Sequence, residues 1–575
     1  MKKYIGMLFK LLCIVNLLLS FTARAASTPT PTQTSTPVAT FTLQDKTGLG
    51  KNHKIYVLGF SSNPGYYLNS DGTWLPLTQQ ANGQIPCFEL GTDKGQINKV
   101  KIDSSQTTLS ARVYFFADDQ GTYGTCNNGT TSAGTGTTQK NGIFGTNNFS
   151  YTWTSPSTFG VVGITQASIG APGTGIPLYS FSEIGPGPSN GTIDVSQVDL
   201  YSFPVTIEAS VLTGNPGVIG NSYNATTPTK TVSFSDNSSY TTFINGLAGT
   251  GGCKNNPTSV ACPYLDLAVP YGNYSILLNP GGFLNSNTSA AQNSKLQKAF
   301  DTILAELWKD KAPSITLANG GIQGSAPQDT FVGTSVSMIY PCNKTGVGCP
   351  TVRAIKFVGK TSKYVAYMFS PIDYASGCAA GTITGCPAGS IASSGNQVFS
   401  GAGVFGTTAT TEYNNMVRIQ GRKANLLPKD TTQYGVGSYA SQVARLGLIM
   451  TQALNHGAFS QCKGTNKKWK GYDWTCLNLQ TNWYPTQASG VTQNLYSQFM
   501  HTAANTKNIP LFVQPPNAAT SAGGTLMGMA YGFSNDEKPT PQVPNTADPE
   551  VPSKMDGTVI YNGAGPYTIT LGPWK

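Results

Sequence analysis

The chain has 575 residues, more than a single hydrophobic core usually organises, so two domains are expected. Only 11% of residues are charged, against about 25% in an average globular domain, and Gly, Thr, Ser and Asn take their place. The formal charge is +10, but no run of Lys or Arg gathers it, which argues against a nucleic-acid partner and fits a β-rich extracellular protein with many turns.

Residues 1–25 have the pattern of a signal peptide. Lys2, Lys3 and Lys10 are cationic, 11–21 form an apolar run, and 23–25 (ARA) offer a small-residue cleavage site. This segment carries four positive charges, Lys2, Lys3, Lys10 and Arg24, and no negative one, so removal would leave +6. The run is too short to span a bilayer and no later stretch is apolar enough. The expected product is secreted, extracellular, monomeric and free of the membrane after cleavage.

A linker is expected at 26–41. Its Thr/Pro-rich part, 26–40, has almost nothing to bury and reads as extended and disordered. A β domain follows over 42–285. Short β-branched or aromatic runs at 54–60 (KIYVLGF), 111–116 (ARVYFF) and 274–278 (YSILL) are separated by turn clusters such as 69–72 (NSDG), as in a sandwich or barrel. A mixed α/β domain is expected over 286–539. Leu296, Ala299, Phe300, Ile303, Leu304, Leu307 and Trp308 follow a helical period. Further helices are expected over 440–456, stopped by Gly457, and over 492–504. Strands are expected at 351–358 (TVRAIKFV) and 363–369 (KYVAYMF). Residues 557–573 are strand-like again, so 540–575 is expected to return to the first domain.

Without Cys13 in the signal segment, ten cysteines remain as close neighbours: Cys87/Cys126, Cys253/Cys262, Cys342/Cys349, Cys378/Cys386 and Cys462/Cys476. Export makes five local disulfides the simplest reading. Zinc is the alternative, but there is no C-x-x-C pair and only three histidines are present.

Two carboxylates carry the chemistry. Glu183 ends an alternating segment at 176–185 (IPLYSFSEIG), and Asp199 opens another at 197–208 (QVDLYSFPVTIE). In extended strands Tyr179, Phe181 and Glu183 share one face, as do Asp199, Tyr201 and Phe203. The connection at 185–191 (GPGPSNG) lets the chain turn back, so both acids could meet across neighbouring strands on an aromatic surface. Opposed or diagonal strand positions put Cβ atoms about 5–8 Å apart. Inverting glycosidases need carboxyls roughly 6.5–9.5 Å apart, with one acid, one base and room for water. Asp194 competes for the base role, although 191–194 (GTID) reads as turn and strand entry. No P-loop, H-E-x-x-H or G-x-S-x-G pattern occurs, and His53, His456 and His501 stand alone. No metal or organic cofactor is expected.

Four segments together resemble glycoside hydrolase family 64, the thaumatin-like β-1,3-glucanases. They are 179–183 (YSFSE) followed by 198–199 (VD); 441–456, ending in QALNH; 494–501 (NLYSQFMH); and 529–536 (MAYGFSND). The resemblance implies a β-rich two-domain α+β protein: a thaumatin-like β-barrel or sandwich domain and a mixed α/β domain flanking a wide groove. It implies an endo-acting, inverting, laminaripentaose-producing type of enzyme on β-1,3-glucan, with Glu183 as general acid and Asp199 as general base. Tyr179, Phe181, Tyr201, His501 and Asp536 are then the expected substrate-binding residues. Ile184, Pro186, Pro188, His456, Ser534 and Asn535 depart from the family pattern. The competing expectations are a non-catalytic β-glucan-binding protein or adhesin on the same scaffold, and a structural thaumatin-like protein.

Overall fold

A computed structural model describes residues 37–48, 54–63, 65–76, 88–103, 110–117, 137–140, 146–153, 159–162, 178–185, 190–196, 200–201, 205–209, 253, 262–271, 274–285, 293–319, 329–340, 348–361, 365–383, 393–405, 438–462, 471–477, 492–497, 559–562 and 567–572. The protein is β-rich, with several sheets and a smaller set of helices.

Strand β1 (Pro37–Asp45) alternates strictly: Ala39, Phe41 and Leu43 are buried, while Thr42 and Gln44 are exposed. That is the pattern of a strand with one face on a core. It also moves a boundary. The linker expected to reach residue 41 gives way to folded strand at Pro37, because Ala39 and Phe41 have a core to enter.

The next strands are β2 (Ile55–Asn63), β3 (Gly65–Leu68), β4 (Trp74–Pro76), β5 (Phe88–Glu89), β6 (Lys99–Asp103) and β7 (Ser110–Ala117). Then come β8 (Thr137–Lys140), β9 (Thr146–Trp153), β10 (Phe159–Val162), β11 (Leu178–Gly185) and β12 (Asn190–Ser196). The short strands β13 (Leu200–Tyr201), β14 (Val205–Ala209), β15 (Ala268–Tyr271) and β16 (Tyr274–Leu278) complete this part. Five more follow: β17 (Ile315–Asn319), β18 (Asp329–Ile339), β19 (Thr351–Gly359), β20 (Val365–Phe369) and β21 (Tyr472–Asp473). Near the C-terminus lie β22 (Val559–Asn562) and β23 (Tyr567–Leu571).

The largest sheet runs β22-β12-β11-β7-β2-β3-β4, with β5 also on β2. A four-stranded sheet runs β14-β23-β1-β6, in which β23 is parallel to β1 and antiparallel to β14. The C-terminal strands therefore pair with strands from residues 37–209. The sheets β10-β9-β8 and β13-β16-β15 are smaller.

The third large sheet runs β20-β19-β18-β17-β21. The helices include α1 (Pro280–Asn285), α2 (Asp301–Trp308), α3 (Pro371–Ala379), α4 (Ser394–Ser400) and α5 (Ser438–Asn455). Trp308 on α2 is fully buried, and its indole N–H donates to the Met368 carbonyl of β20 at 3.0 Å. Helix α5 buries Leu446, Met450 and Leu454, and ends before Gly457, whose φ of 70° only glycine adopts without strain.

The periodic segment from Leu296 is not one helix. A short 3-10 turn (Lys295–Lys298), capped by the Ser294 hydroxyl, precedes α2, and Phe300 between them is non-helical. The break has a cause: α4 docks on it. The Ser394 hydroxyl donates to the Asp301 carboxylate at the start of α2 and lies 3.2 Å from the Gln297 carbonyl, and a Cβ on Gly395 would sit 2.1 Å from the Leu296 oxygen.

Of the helix expected over 492–504, one turn at 495–497 lies within the described residues. Cys253–Cys262 and Cys462–Cys476 form disulfides, and Cys349 and Cys378 are also disulfide-bonded. Cys87, Cys126, Cys342 and Cys386 lie outside the described residues. Among the described residues no helix is long and apolar enough to cross a membrane.

Candidate active site

Glu183 lies on β11, near the middle of the largest sheet. Its hairpin partner is β12, and Asp194 occupies the register position opposite it. This differs from the expected pairing. The segment 197–208 does not return beside β11 as one strand: β13 pairs with β16, and β14 pairs with β23 in another sheet. Residues 190–196 begin with turn formers, Asn190 and Gly191, yet go on as a paired strand because Ile193 has a core to fill.

On the other side of β11, Arg112 of β7 stands opposite Glu183. Its Nε donates to Glu183 Oε1 at 2.6 Å, and its Nη1 reaches the Tyr114 hydroxyl at 3.4 Å. The guanidinium carbon lies 5.0 Å from the centre of the Phe181 ring. Beneath, three rings step across three strands. Phe60 and Tyr114 have centroids 5.6 Å apart, and Tyr114 and Phe181 are 5.0 Å apart. All three are buried, whereas the Arg112 and Glu183 side chains are 37% and 33% exposed. The sheet face thus passes from an aromatic floor to a charged pair that reaches solvent.

Phe181 therefore does not offer its ring to a ligand. It is 1% exposed and serves as the seat of the Arg112 guanidinium. Alternation placed it correctly on the Glu183 face, but the rings of Tyr114 and Phe60 continue that face as core. Tyr179 stands opposite Phe116 in register, and Tyr201 opposite Leu277. Asp199, His501 and Asp536 lie outside the described residues. Leu200, which follows Asp199 in sequence, opens β13, and β13 lies against β11.

Arg112 is the partner of Glu183 that sequence reasoning passed over. The signal was available: in 111–116, Arg112 and Tyr114 alternate with buried Ala111, Val113 and Phe115, so the one cation on an apolar strand must face the other side. A cation there needs a partner, and Glu183 supplies it.

Two further segments singled out in the sequence meet elsewhere. The Asn494 side-chain amide donates to Asn455 Oδ1 at 3.0 Å, and the Asn494 backbone N–H donates to the Asn455 carbonyl at 2.8 Å. Asn494 Oδ1 accepts from the N–H groups of Tyr496 and Ser497, capping that helical turn. The Tyr264 hydroxyl donates to the Gln493 carbonyl at 2.7 Å, tying in the segment that begins at Cys262. His456 is buried here. Among the described residues no group of His, Cys, Asp and Glu is arranged to hold a metal ion.

No protein-family model and no curated protein matches the chain. Among solved structures it is similar to a laminaripentaose-producing β-1,3-glucanase in complex with laminaritetraose. The identity is 13% and the TM-score 0.46, over 94% of this chain and 100% of that one. It is also similar to a β-1,3-glucanase domain (GH64) from Clostridium beijerinckii, at 12% identity and TM-score 0.44, over 93% and 98% of the two chains. A GH family 64 laminaripentaose-producing β-1,3-glucanase from Paenibacillus barengoltzii complexed with laminarihexaose gives 10% identity and TM-score 0.35, over 96% of this chain and 78% of that one.

Proposed function

We propose that the protein is a secreted endo-β-1,3-glucanase that cleaves by inversion, with Glu183 as general acid and Asp199 as general base. The observation that carries this reading is a solvent-reaching glutamate held in one place by Arg112 on a rigid sheet, with β13, which follows Asp199, against the same strand. Active-site carboxyls must be fixed in this way to act on one bond. The four ordered segments that resemble family 64 supply the substrate class, and with it the proposed thaumatin-like β domain, the α/β domain and the groove between them.

In the proposed step Glu183 gives its proton to the glycosidic oxygen as the C1–O bond breaks. Asp199 takes a proton from the water whose oxygen bonds to C1 on the opposite face. The β-linked chain then yields an α-anomer.

Glu183→Gln and Asp199→Asn should each lower reducing-sugar release from laminarin by about 10²–10⁴-fold or more, while binding persists. Asp194→Asn should cost much less. An initial β-anomer by proton NMR would make one carboxylate a nucleophile and overturn inversion. One observation favours the binding-protein reading: an ion pair such as Arg112–Glu183 is also what a purely structural bridge looks like. Full activity in both variants would discard Glu183 and Asp199 as the acid and base, whereas no sugar release by a wild type that still sediments with insoluble β-1,3-glucan would decide for the binding-protein reading.

A further inference from the structure

We infer that Arg112 is a positioning residue that sets which oxygen of Glu183 carries the transferable proton, an inference that rests on the glucanase reading. Arg112 Nε donates to Oε1 at 2.6 Å. A protonated carboxyl has one hydroxyl oxygen and one carbonyl-type oxygen, and only an oxygen without the proton accepts well from a cationic N–H. With Oε1 taken by the guanidinium, the proton belongs on Oε2. During cleavage it leaves Oε2 for the glycosidic oxygen as the C1–O bond breaks, and the Nε bond to Oε1 shortens onto the carboxylate left behind.

The guanidinium is itself held. It lies 5.0 Å from the Phe181 ring centre, and that ring stacks on Tyr114, whose hydroxyl is within reach of Arg112 Nη1. The donor that fixes Glu183 is therefore seated on buried core rather than on a surface loop. A lysine would keep the charge but not the planar fork that can lie on a ring and donate sideways at once.

The test uses the full secreted chain with Arg112→Met and Arg112→Lys. Two substrates are compared: laminari-oligosaccharides, whose leaving sugar needs the acid proton, and a 2,4-dinitrophenyl β-laminaribioside, whose phenolate leaves without one. A misplaced acid typically costs on the order of 10²-fold, so Arg112→Met should lower kcat on the oligosaccharide by about 10–100-fold with KM within about 2-fold. On the activated substrate the loss should stay under about 3-fold, because proton donation no longer limits the rate. Arg112→Lys should resemble Arg112→Met more than wild type. Equal losses on both substrates, or full recovery with lysine, would overturn the inference.

A crystal structure of the Arg112→Met protein gives a readout without turnover. The Glu183 carboxyl should rotate away from its wild-type position or occupy more than one. An unmoved carboxyl would overturn the positioning role. A moved carboxyl in a chain whose wild type cleaves neither substrate would uphold the positioning of Glu183 by Arg112, but would sink the glucanase reading and the proton assignment that rests on it.

Discussion

Asp373→Asn should destabilise the protein strongly at neutral pH and hardly at all in acid. Asp373 lies in the first turn of α3 and pairs with Arg353 of β19. Its Oδ2 accepts from both the Arg353 Nε and the Arg353 backbone N–H at 2.9 Å, and its Oδ1 accepts from Nη2. The Ser370 N–H returns a bond to the Arg353 carbonyl at 2.8 Å, so one carboxylate joins a helix start to a central strand. Hydrogen bonds to charged groups contribute about 1.5–3 kcal/mol net. A carboxylate at a helix N-terminus adds about 0.3–1 kcal/mol. Both side chains are partly exposed, which discounts the sum, so the amide should cost about 2–3 kcal/mol at pH 7.

Burial pushes the Asp373 carboxyl up, but the Arg353 hydrogen bonds and charge outweigh it and hold it below its usual 3.8. A carboxyl with a depressed folded value stabilises fully above the unfolded value and loses that contribution as pH falls through the folded one. The gap between wild type and Asp373→Asn in urea denaturation should thus be constant from neutral pH down to about pH 5 and close near pH 2. A gap below about 0.5 kcal/mol at pH 7 would show that exposure has screened the pair, in line with typical surface bridges. An equal gap at pH 2 would show that shape, not charge, is at stake.

Two other variants test packing. Gly447→Ala should destabilise by about 1–3 kcal/mol in urea denaturation despite alanine's higher helix propensity, because the new Cβ would lie 2.1 Å from the Phe405 carbonyl oxygen and α5 must move. Asn494→Ala should cost about 1–3 kcal/mol by removing a helix cap and leaving buried Asn455 short of a donor, and hydrogen exchange should speed up at Tyr496 and Ser497.

Strands whose runs are β-branched or aromatic, such as β2, β7, β16, β19 and β20, were legible because their local pattern and tertiary role agree. Helix α5 was legible from its period and Gly457. Pairing was not. Nothing local to residues 190–196 says that they, rather than 197–208, fold back on β11, since the choice depends on what lies beyond the hairpin. The break before α2 also has a distant cause, in Ser394 and Gly395. Alternation marked the face that Glu183 shares with Phe181. The same alternation hid the fate of Phe181, since period two tells which residues share a face but not which of them that face leaves in water. Arg112 escaped notice as one charge in an apolar run, although that isolation was itself the clue.

The place of β23 constrains how the protein can be made. It lies between β14 and β1, so neither has that neighbour until it arrives. A growing chain emits β1 and β14 early and β23 roughly 350 residues after β14, which at about 5–20 residues per second leaves on the order of 20–70 s with two strand edges open. Open edges invite pairing with other chains. The four-stranded sheet therefore closes late, through contacts of high contact order.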